Sequence, residues 1–109
     1  MAILSNWENL PGVVAREGVI RKVFTGNNSM LALNELKAGT KPNLHSHPEE
    51  QLTYILTGKA EFVLGDELLT LKAGDLLLVP PGVPHSLRVI GDETVLNMDI
   101  FSPIREDYR

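Results

Sequence analysis

Short apolar stretches alternate with turn sequences along the whole chain. Each apolar stretch is rich in Val, Ile, Leu, Thr, Phe and Tyr, and turn sequences such as TGNNS, KAGTKPN, LGDE and PPGVP separate them. This pattern is typical of strands joined by tight connections. The predicted strands lie near residues 13–15, 19–24, 30–36, 51–56, 59–64, 67–71, 76–79, 85–89 and 94–101. Only residues 6–9 and 103–108 have the composition of a helical turn, and neither keeps a 3.6-residue period.

Two turns can be assigned to particular residues. The stretch AEFVLGDELLTL predicts a hairpin that turns at Gly65 and Asp66, and Gly58 marks a second tight turn. Glycine suits both places because it adopts a positive φ without a Cβ clash. Many short strands at regular spacing indicate an all-β sandwich or small barrel. At 109 residues and 12.0 kDa, we expect residues 1–109 to form a single domain.

Composition and charge exclude several classes of function. A net charge of −4, with Lys and Arg scattered along the chain, argues against nucleic-acid binding. The longest apolar runs are far shorter than the roughly 20 residues of a membrane span, so we expect no membrane insertion and a cytoplasmic location. Because the chain has no cysteine, a transition metal must be held by nitrogen and oxygen atoms.

The histidines form the clearest candidate site. His45, His47 and Gln51 in HSHPEEQ share one parity, so their side chains can project to the same side of a strand and its approach. His85 follows the stiff turn PPGVP at the start of another strand. Imidazole and amide groups suit a divalent transition metal such as Ni, Zn, Fe, Mn, Co or Cu. The alternatives are histidines that serve only as surface or structural residues, and a Gln51 that hydrogen-bonds without touching metal.

The carboxyl end, VLNMDIFSPIREDYR, is the second informative stretch. On its strand, Asp99 and Phe101 share a face that could line a cavity. A buried Asp99 would need a partner, which could be a metal-bound water, a substrate hydroxyl or Arg105; otherwise it is an exposed strand-end carboxylate. Arg105 could fold back over the cavity mouth and bind a carboxylate bidentately, or belong to a solvated tail with Glu106 and Asp107.

Two stretches resemble the paired motifs of the cupins. Residues 39–58, GTKPNLHSHPEEQLTYILTG, match the first motif in spacing, and residues 74–89, which begin GDLLLVPPGVPH, resemble the second. The resemblance implies a double-stranded β-helix, or jelly-roll barrel. Gln51 stands where the first motif usually has glutamate, and Val89 where the second has asparagine, which we expect to affect strand packing only. With Gln51, all four donors are neutral, and a divalent ion would keep its full charge.

A narrower resemblance involves both informative stretches. HSHPEEQLTYILTG followed by MDIFSPIRED is similar to the KdgF-type cupins of pectin degradation, which convert 4,5-unsaturated uronates to linear 5-keto-4-deoxyuronate. This implies a small sugar acid, or a similar chelating molecule, as substrate. It also implies the following site residues. The implied metal ligands are His45, His47, Gln51 and His85. The residues implied in substrate binding or catalysis are Asp99, Phe101 and Arg105.

The same resemblance leaves other functions open. One is a quercetinase-like cupin dioxygenase, and another is a non-catalytic cupin that binds a sugar acid or a metal. Small cupins also commonly form homodimers, so we expect one here. Apolar residues near the amino terminus that could contribute to such a contact are Val13, Val14, Val19, Ile20 and Val23.

Overall fold

The structure, a computed structural model, describes residues 1–109. The strands are β1 (Val13–Arg16), β2 (Val19–Thr25), β3 (Met30–Leu36), β4 (Glu50–Thr57), β5 (Lys59–Leu64), β6 (Glu67–Lys72), β7 (Leu76–Val79), β8 (His85–Ile90) and β9 (Val95–Ser102), followed by a 3-10 helix at Glu106–Tyr108. Each predicted strand is present, with bounds that differ by no more than one residue at either end. The all-β prediction is therefore confirmed. The structure contains no helix with the length and apolar composition needed to cross a membrane.

Two antiparallel sheets form the molecule. The larger sheet has the order β1-β2-β3-β9-β4-β7, and the smaller has the order β6-β5-β8. Burial alternates along β3 and β4, so every second side chain of these strands points between the sheets. The two-sheet arrangement agrees with the jelly-roll fold that the motifs imply.

The apolar core has two parts. Between the sheets lies a cluster of Val19, Leu36, Ile55, Ala60, Phe62, Leu71, Val79, Val89 and Val95. A smaller cluster of Met30, Ala32, Phe101 and Ile104 lies near the carboxyl-terminal tail, with Tyr108 packed against it. Val89, which replaces the asparagine of the second motif, is part of the core, in agreement with the expectation that this replacement affects strand packing. Val19 is only 2% exposed, which corrects its assignment to a dimer contact, since a side chain inside the core cannot reach another molecule.

Glycine is required at the turn between β4 and β5. Gly58 has φ of 82°, and a Cβ at this position would lie 2.9 Å from Val95 Cγ2 and 3.0 Å from the Thr94 carbonyl oxygen. The predicted hairpin is also present, because Leu64 pairs with Glu67 across Gly65 and Asp66. Both turn predictions are confirmed.

Backbone hydrogen bonds join the segment before β4 to the start of β8. The His45 N–H donates to the His85 carbonyl at 3.1 Å, and the His85 N–H donates to the His45 carbonyl at 2.9 Å. The Gly82 N–H donates to the His47 carbonyl at 2.8 Å. Histidines that are distant in sequence are thereby held side by side by the main chain.

Candidate metal centre

The three histidines converge at this junction. Their ring centroids lie 4.4 Å apart for His45 and His85, 5.0 Å for His47 and His85, and 5.9 Å for His45 and His47. One nitrogen atom from each ring lies within 4.8 Å of the other two. His47 and His85 are buried, and His45 is half-buried. These side chains are therefore positioned to bind one metal ion.

Each imidazole is oriented by a carbonyl oxygen two residues away. Nδ1 lies 2.8 Å from the Asn43 oxygen in His45, 3.0 Å from the Glu49 oxygen in His47, and 2.9 Å from the Val83 oxygen in His85. Because a carbonyl oxygen only accepts, a neutral ring keeps its proton on Nδ1 and leaves the Nε2 lone pair free. This outer set of hydrogen bonds is typical of histidines that ligate metals.

Burial keeps two of these rings neutral. Desolvation, together with the nearby His45, His47 and Arg105 charges, lowers the pKa of His85 to about 4, against the opposing effect of its hydrogen bond with the Val83 carbonyl. Desolvation also lowers the pKa of His45. Since metal competes with a proton for the imidazole nitrogen, a lowered pKa keeps the ligand available at neutral pH.

Gln51 places an amide oxygen beside the three histidines. Its Nε2 donates to Thr53 Oγ1 at 2.8 Å and to Asp99 Oδ1 at 3.1 Å, which fixes the amide with Oε1 facing His47 Nε2 at 2.9 Å. In a neutral His47 with its proton on Nδ1, these two facing atoms are both acceptors. A cation bound to both would resolve this contact.

The donor set passes a second test for a metal. His85 Nε2 is buried and has no hydrogen-bond partner, an arrangement that is costly unless the lone pair has a ligand. Two donors held at about 2.1 Å from one ion lie about 3 Å apart at right angles, which is close to the His47–Gln51 separation. Three imidazoles and one amide oxygen thus fit a divalent first-row ion, whose identity they do not specify.

Asp99 lies directly behind Gln51. Its carboxylate accepts hydrogen bonds from four neutral side chains, and burial raises its pKa against the opposing effect of those bonds. The donors are Asn97 at 2.8 Å, Thr53 at 2.9 Å, Asn34 at 3.0 Å and Gln51 at 3.1 Å. The prediction that Arg105 could be the partner of Asp99 is wrong, because the Arg105 guanidinium binds Asp107 at 2.8 Å instead. Asp99 is also not the exposed strand-end carboxylate of the alternative interpretation, because it lines the internal cavity.

The carboxyl-terminal tail packs against the barrel through Ile104, Arg105 and Tyr108, whereas Glu106 and Asp107 stay exposed. Arg105 is buried, and its Cζ lies 3.8 Å from the centroid of the Tyr108 ring and 5.2 Å from that of Phe101. Phe101 lines the cavity and contacts the His47 ring edge-on at 5.4 Å. Arg105 does not line the cavity, although its Nη1 is buried without a partner. Its predicted action on a substrate stays a prediction.

Several cavity residues were not singled out from the sequence, and four of them bear on the chemistry of the site. Arg16, Arg21, Asn34 and Tyr108 line the same cavity as His45, Gln51, His85, Asp99 and Phe101. Asn34 carried a usable signal, because it interrupts an otherwise apolar face of β3. The other three carried none, because their position depends on which strands pair and on how the tail folds back.

Comparisons with known proteins agree with this architecture. An uncharacterized protein of Methanocaldococcus jannaschii is 33% identical over 82 residues, covering 74% of this chain and 66% of that protein. Oxalate decarboxylase OxdC of Bacillus subtilis is 32% identical over 95 residues, covering 81% of this chain but only 25% of the decarboxylase. This chain therefore spans two thirds or less of the length of these two relatives.

Solved structures share the whole fold. An RmlC-like cupin from Shewanella frigidimarina superposes with a TM-score of 0.90 at 25% identity, covering 100% of this chain and 97% of the other. KdgF from Halomonas sp. superposes with a TM-score of 0.85 at 23% identity, covering 94% and 95%. Residues 32–101 match the family described as the cupin domain. The jelly-roll prediction is thus confirmed, and the chain belongs to the cupin domain family.

Proposed function

We propose that this protein is a metal-dependent cupin enzyme that opens the ring of 4,5-unsaturated uronates. One observation carries the proposal: Gln51 contacts His47 of the candidate metal centre through Oε1 and the half-buried Asp99 through Nε2. A Lewis acid and a carboxylate would therefore act on neighbouring atoms of one small substrate. The terminal sequence DIFSPIRED supports this substrate class by its resemblance to KdgF-type cupins, whereas the likeness to the KdgF structure concerns the fold.

His45, His47, His85 and Gln51 would hold a single divalent ion. When bound, such an ion supplies a Lewis acid that polarises substrate oxygens. Four protein donors leave two positions of a six-coordinate ion open, which suits a substrate that chelates through two oxygens. Sugar acids have this property.

Asp99 is the proposed proton carrier. Its carboxylate takes the proton from the C1 hydroxyl, the C1–O5 bond breaks as the C1 carbonyl forms, and the electron pair passes to O5. The resulting enolate collapses to the C5 ketone as C4 receives a proton from Asp99, so the overall reaction is an isomerisation. A raised pKa suits this exchange, because it brings the acid and base forms of Asp99 closer in population.

Phe101 and Arg105 have supporting roles in this proposal. Phe101 forms the apolar wall of the cavity beside His47. Arg105 packs behind Phe101 and Tyr108, and its unpaired Nη1 could reach the substrate if the tail shifts.

The test is turnover of unsaturated monouronate by the metal-loaded protein, followed as loss of the conjugated absorbance. Asp99→Asn should reduce kcat by about 100-fold or more, because a proton carrier is lost while the shape is kept. Asp92→Asn, at an exposed position away from the cavity, is the matched control and should leave the rate unchanged. If the wild type leaves the decay at its spontaneous rate, the proposed activity is wrong.

A second candidate has support from a relative. The similarity to oxalate decarboxylase over 81% of this chain favours a metal-assisted reaction on a small dicarboxylate. Carbon dioxide release from oxalate by manganese-loaded protein would identify it.

The dioxygenase alternative predicts oxygen uptake by iron-loaded protein. A non-catalytic cupin would gain thermal stability from a sugar acid without turnover.

We also propose that the protein forms a homodimer. The outer face of the larger sheet carries an apolar patch, because Leu52 pairs with Leu78 and Ile100, while Tyr54 pairs with Leu76 and Met98. We call these six side chains the outer patch. Four of them are exposed, and a contiguous exposed apolar patch of this kind usually marks a contact surface. A second copy could cover it by presenting the same patch.

A further inference from the structure

The cavity contains two arginines that have no acidic partner. Arg16 of β1 and Arg21 of β2 both line it, together with His45 and Asp99. The ion pairs of the chain involve other residues: Lys72–Asp75, Arg88–Glu61, Arg105–Asp107 and Arg109–Glu106. Two half-buried guanidinium groups without an ion-pair partner are unusual, because desolvating a charge is costly unless it is compensated. Arg21 is connected to the Asp99 carboxylate only through Asn34.

Arg16 is held at the cavity with part of its guanidinium unsatisfied. Its Nη2 donates to the Lys41 carbonyl at 3.4 Å, and its Nε is buried without any partner. Burial lowers the pKa of Arg16, and the charge of Arg21 lowers it further. Because Arg16 and Arg21 lie on paired strands and line one cavity, their positive charges repel each other, and an anion between them would relieve the repulsion.

Arg21 is oriented by two neighbours and keeps its terminal nitrogens free. Its Nε donates to Asn34 Oδ1 at 3.2 Å, and its Cζ lies 3.6 Å from the centroid of the Tyr108 ring. Arg105 stacks on the same ring at 3.8 Å, so Tyr108 is held between two guanidiniums. Nη1 and Nη2 of Arg21 donate no hydrogen bond within the chain, which leaves the pair available for bidentate binding of an anion.

Asn34 connects Arg21 to the proposed proton carrier. Asn34 Oδ1 accepts from Arg21, while its Nδ2 donates to Asp99 Oδ2 at 3.0 Å. A substrate group bound by Arg21 would thus lie at a fixed distance from Asp99. This arrangement is what a cyclic substrate needs when its anionic group must be anchored while a proton moves elsewhere on the ring.

We propose that Arg16 and Arg21 form an anion subsite that binds the carboxylate of the substrate. The assignment rests on the proposed function in that it takes the substrate to be a small carboxylated sugar. It places the carboxylate on β1 and β2 of the larger sheet, whereas the terminal sequence alone would place it on Arg105.

Calorimetric binding of two probes to the zinc-loaded protein tests this subsite. Galacturonate carries a carboxylate, and its methyl ester has the same ring without the charge. We expect the wild type to bind galacturonate more tightly than the ester. Arg16→Gln and Arg21→Gln should each weaken galacturonate binding by about tenfold or more, because a charge-assisted bidentate contact is lost. Ester binding should not change in either variant.

Arg88→Gln is the matched control, since Arg88 pairs with Glu61 on the exposed face of the smaller sheet and should affect neither probe. If Arg21→Gln unfolds because Tyr108 loses a stacking partner, Arg16→Gln and Arg21→Lys are used to test the subsite. Arg21→Lys keeps the charge and should bind galacturonate better than Arg16→Gln. Equal wild-type affinities for acid and ester, no binding of galacturonate, or unchanged binding in the arginine variants would each overturn the subsite.

This result is separable from the catalytic test. Binding of galacturonate that depends on Arg16 and Arg21, without turnover of unsaturated monouronate, would keep the subsite and reject the ring-opening activity. The opposite result would keep the activity and reject the subsite. In that case unsaturated monouronate is turned over, and neither galacturonate binding nor KM changes when Arg16 or Arg21 is substituted.

Discussion

Gln51 links the candidate metal centre to the half-buried carboxylate of Asp99. Its amide oxygen faces His47 at 2.9 Å, and its amide nitrogen donates to Thr53 and Asp99. Glutamate, which cupin motifs usually carry here, could not donate to Asp99 when ionised. The choice of amide therefore keeps one hydrogen bond on Asp99 and leaves the charge of a bound ion unreduced.

Gln51→Glu tests this interpretation. The variant should bind zinc more tightly, because it adds an anionic ligand, but its turnover should fall by about tenfold or more. The loss follows because Asp99 would exchange a donor at 3.1 Å for a like charge. Zinc titration and initial rates on unsaturated monouronate measure the two effects. Glu50→Gln, at the adjacent exposed position, should change neither. Unchanged turnover in Gln51→Glu would contradict the role given to the amide.

Two glycines in the turns between strands differ in the physical reason for which glycine is needed. Gly58 and Gly74 both have positive φ, at 82° and 93°. A Cβ on Gly58 would meet Val95 Cγ2 at 2.9 Å, whereas a Cβ on Gly74 would meet nothing within 4 Å. An alanine at position 74 would therefore introduce backbone strain alone, whereas an alanine at position 58 would introduce strain together with a clash against β9.

We expect Gly74→Ala to lower the free energy of unfolding by about 1 kcal/mol, the usual effect of a left-handed backbone at alanine. Gly58→Ala should lower it by about 2–4 kcal/mol, because packing against Val95 is also disturbed. Urea unfolding of the metal-free protein measures both values. Equal losses in the two variants would mean that the contact with β9 has no energetic weight.

Strand positions were predictable from the sequence because local patterns determine them. Alternation along β3 and β4 and the glycines of the turns gave bounds within one residue. The pairing of β9 between β3 and β4 is non-local, and no single stretch encodes it. For this reason the convergence of His45, His47 and His85 could be inferred from motifs, whereas the four donors of Asp99 and the place of Arg21 could not.

At the scale of the whole molecule, the larger sheet has an outer face that is only partly covered. The amino-terminal segment lies over one side of it, where Trp7 and Leu10 border a depression with Phe24 and Leu31. Lys22 Nζ fixes the segment by donating to the Trp7 carbonyl at 2.7 Å. The outer patch, on the side formed by β9, β4 and β7, has no such cover.

If a second copy covers the outer patch, Leu76→Lys should convert a dimer into a monomer, because a charge cannot be buried unpaired in an apolar contact. Leu68→Lys is the matched control, since Leu68 is comparably exposed but lies on β6 of the smaller sheet. Sedimentation velocity at several protein concentrations measures the association state. A monomeric wild type, or a Leu76→Lys variant that stays dimeric, would contradict the proposed contact.

His45 and His85 exchange backbone hydrogen bonds, and each ring is aimed by a main-chain carbonyl. The folded chain itself thus sets the spacing of the imidazoles, before any ion arrives. A cage that is ready in advance and built from neutral nitrogen and oxygen atoms follows the general affinity order of first-row ions and adds little preference of its own. Which element occupies it in a cell would then depend on supply, and protein from cultures grown with different trace metals should differ in elemental content while keeping the same fold.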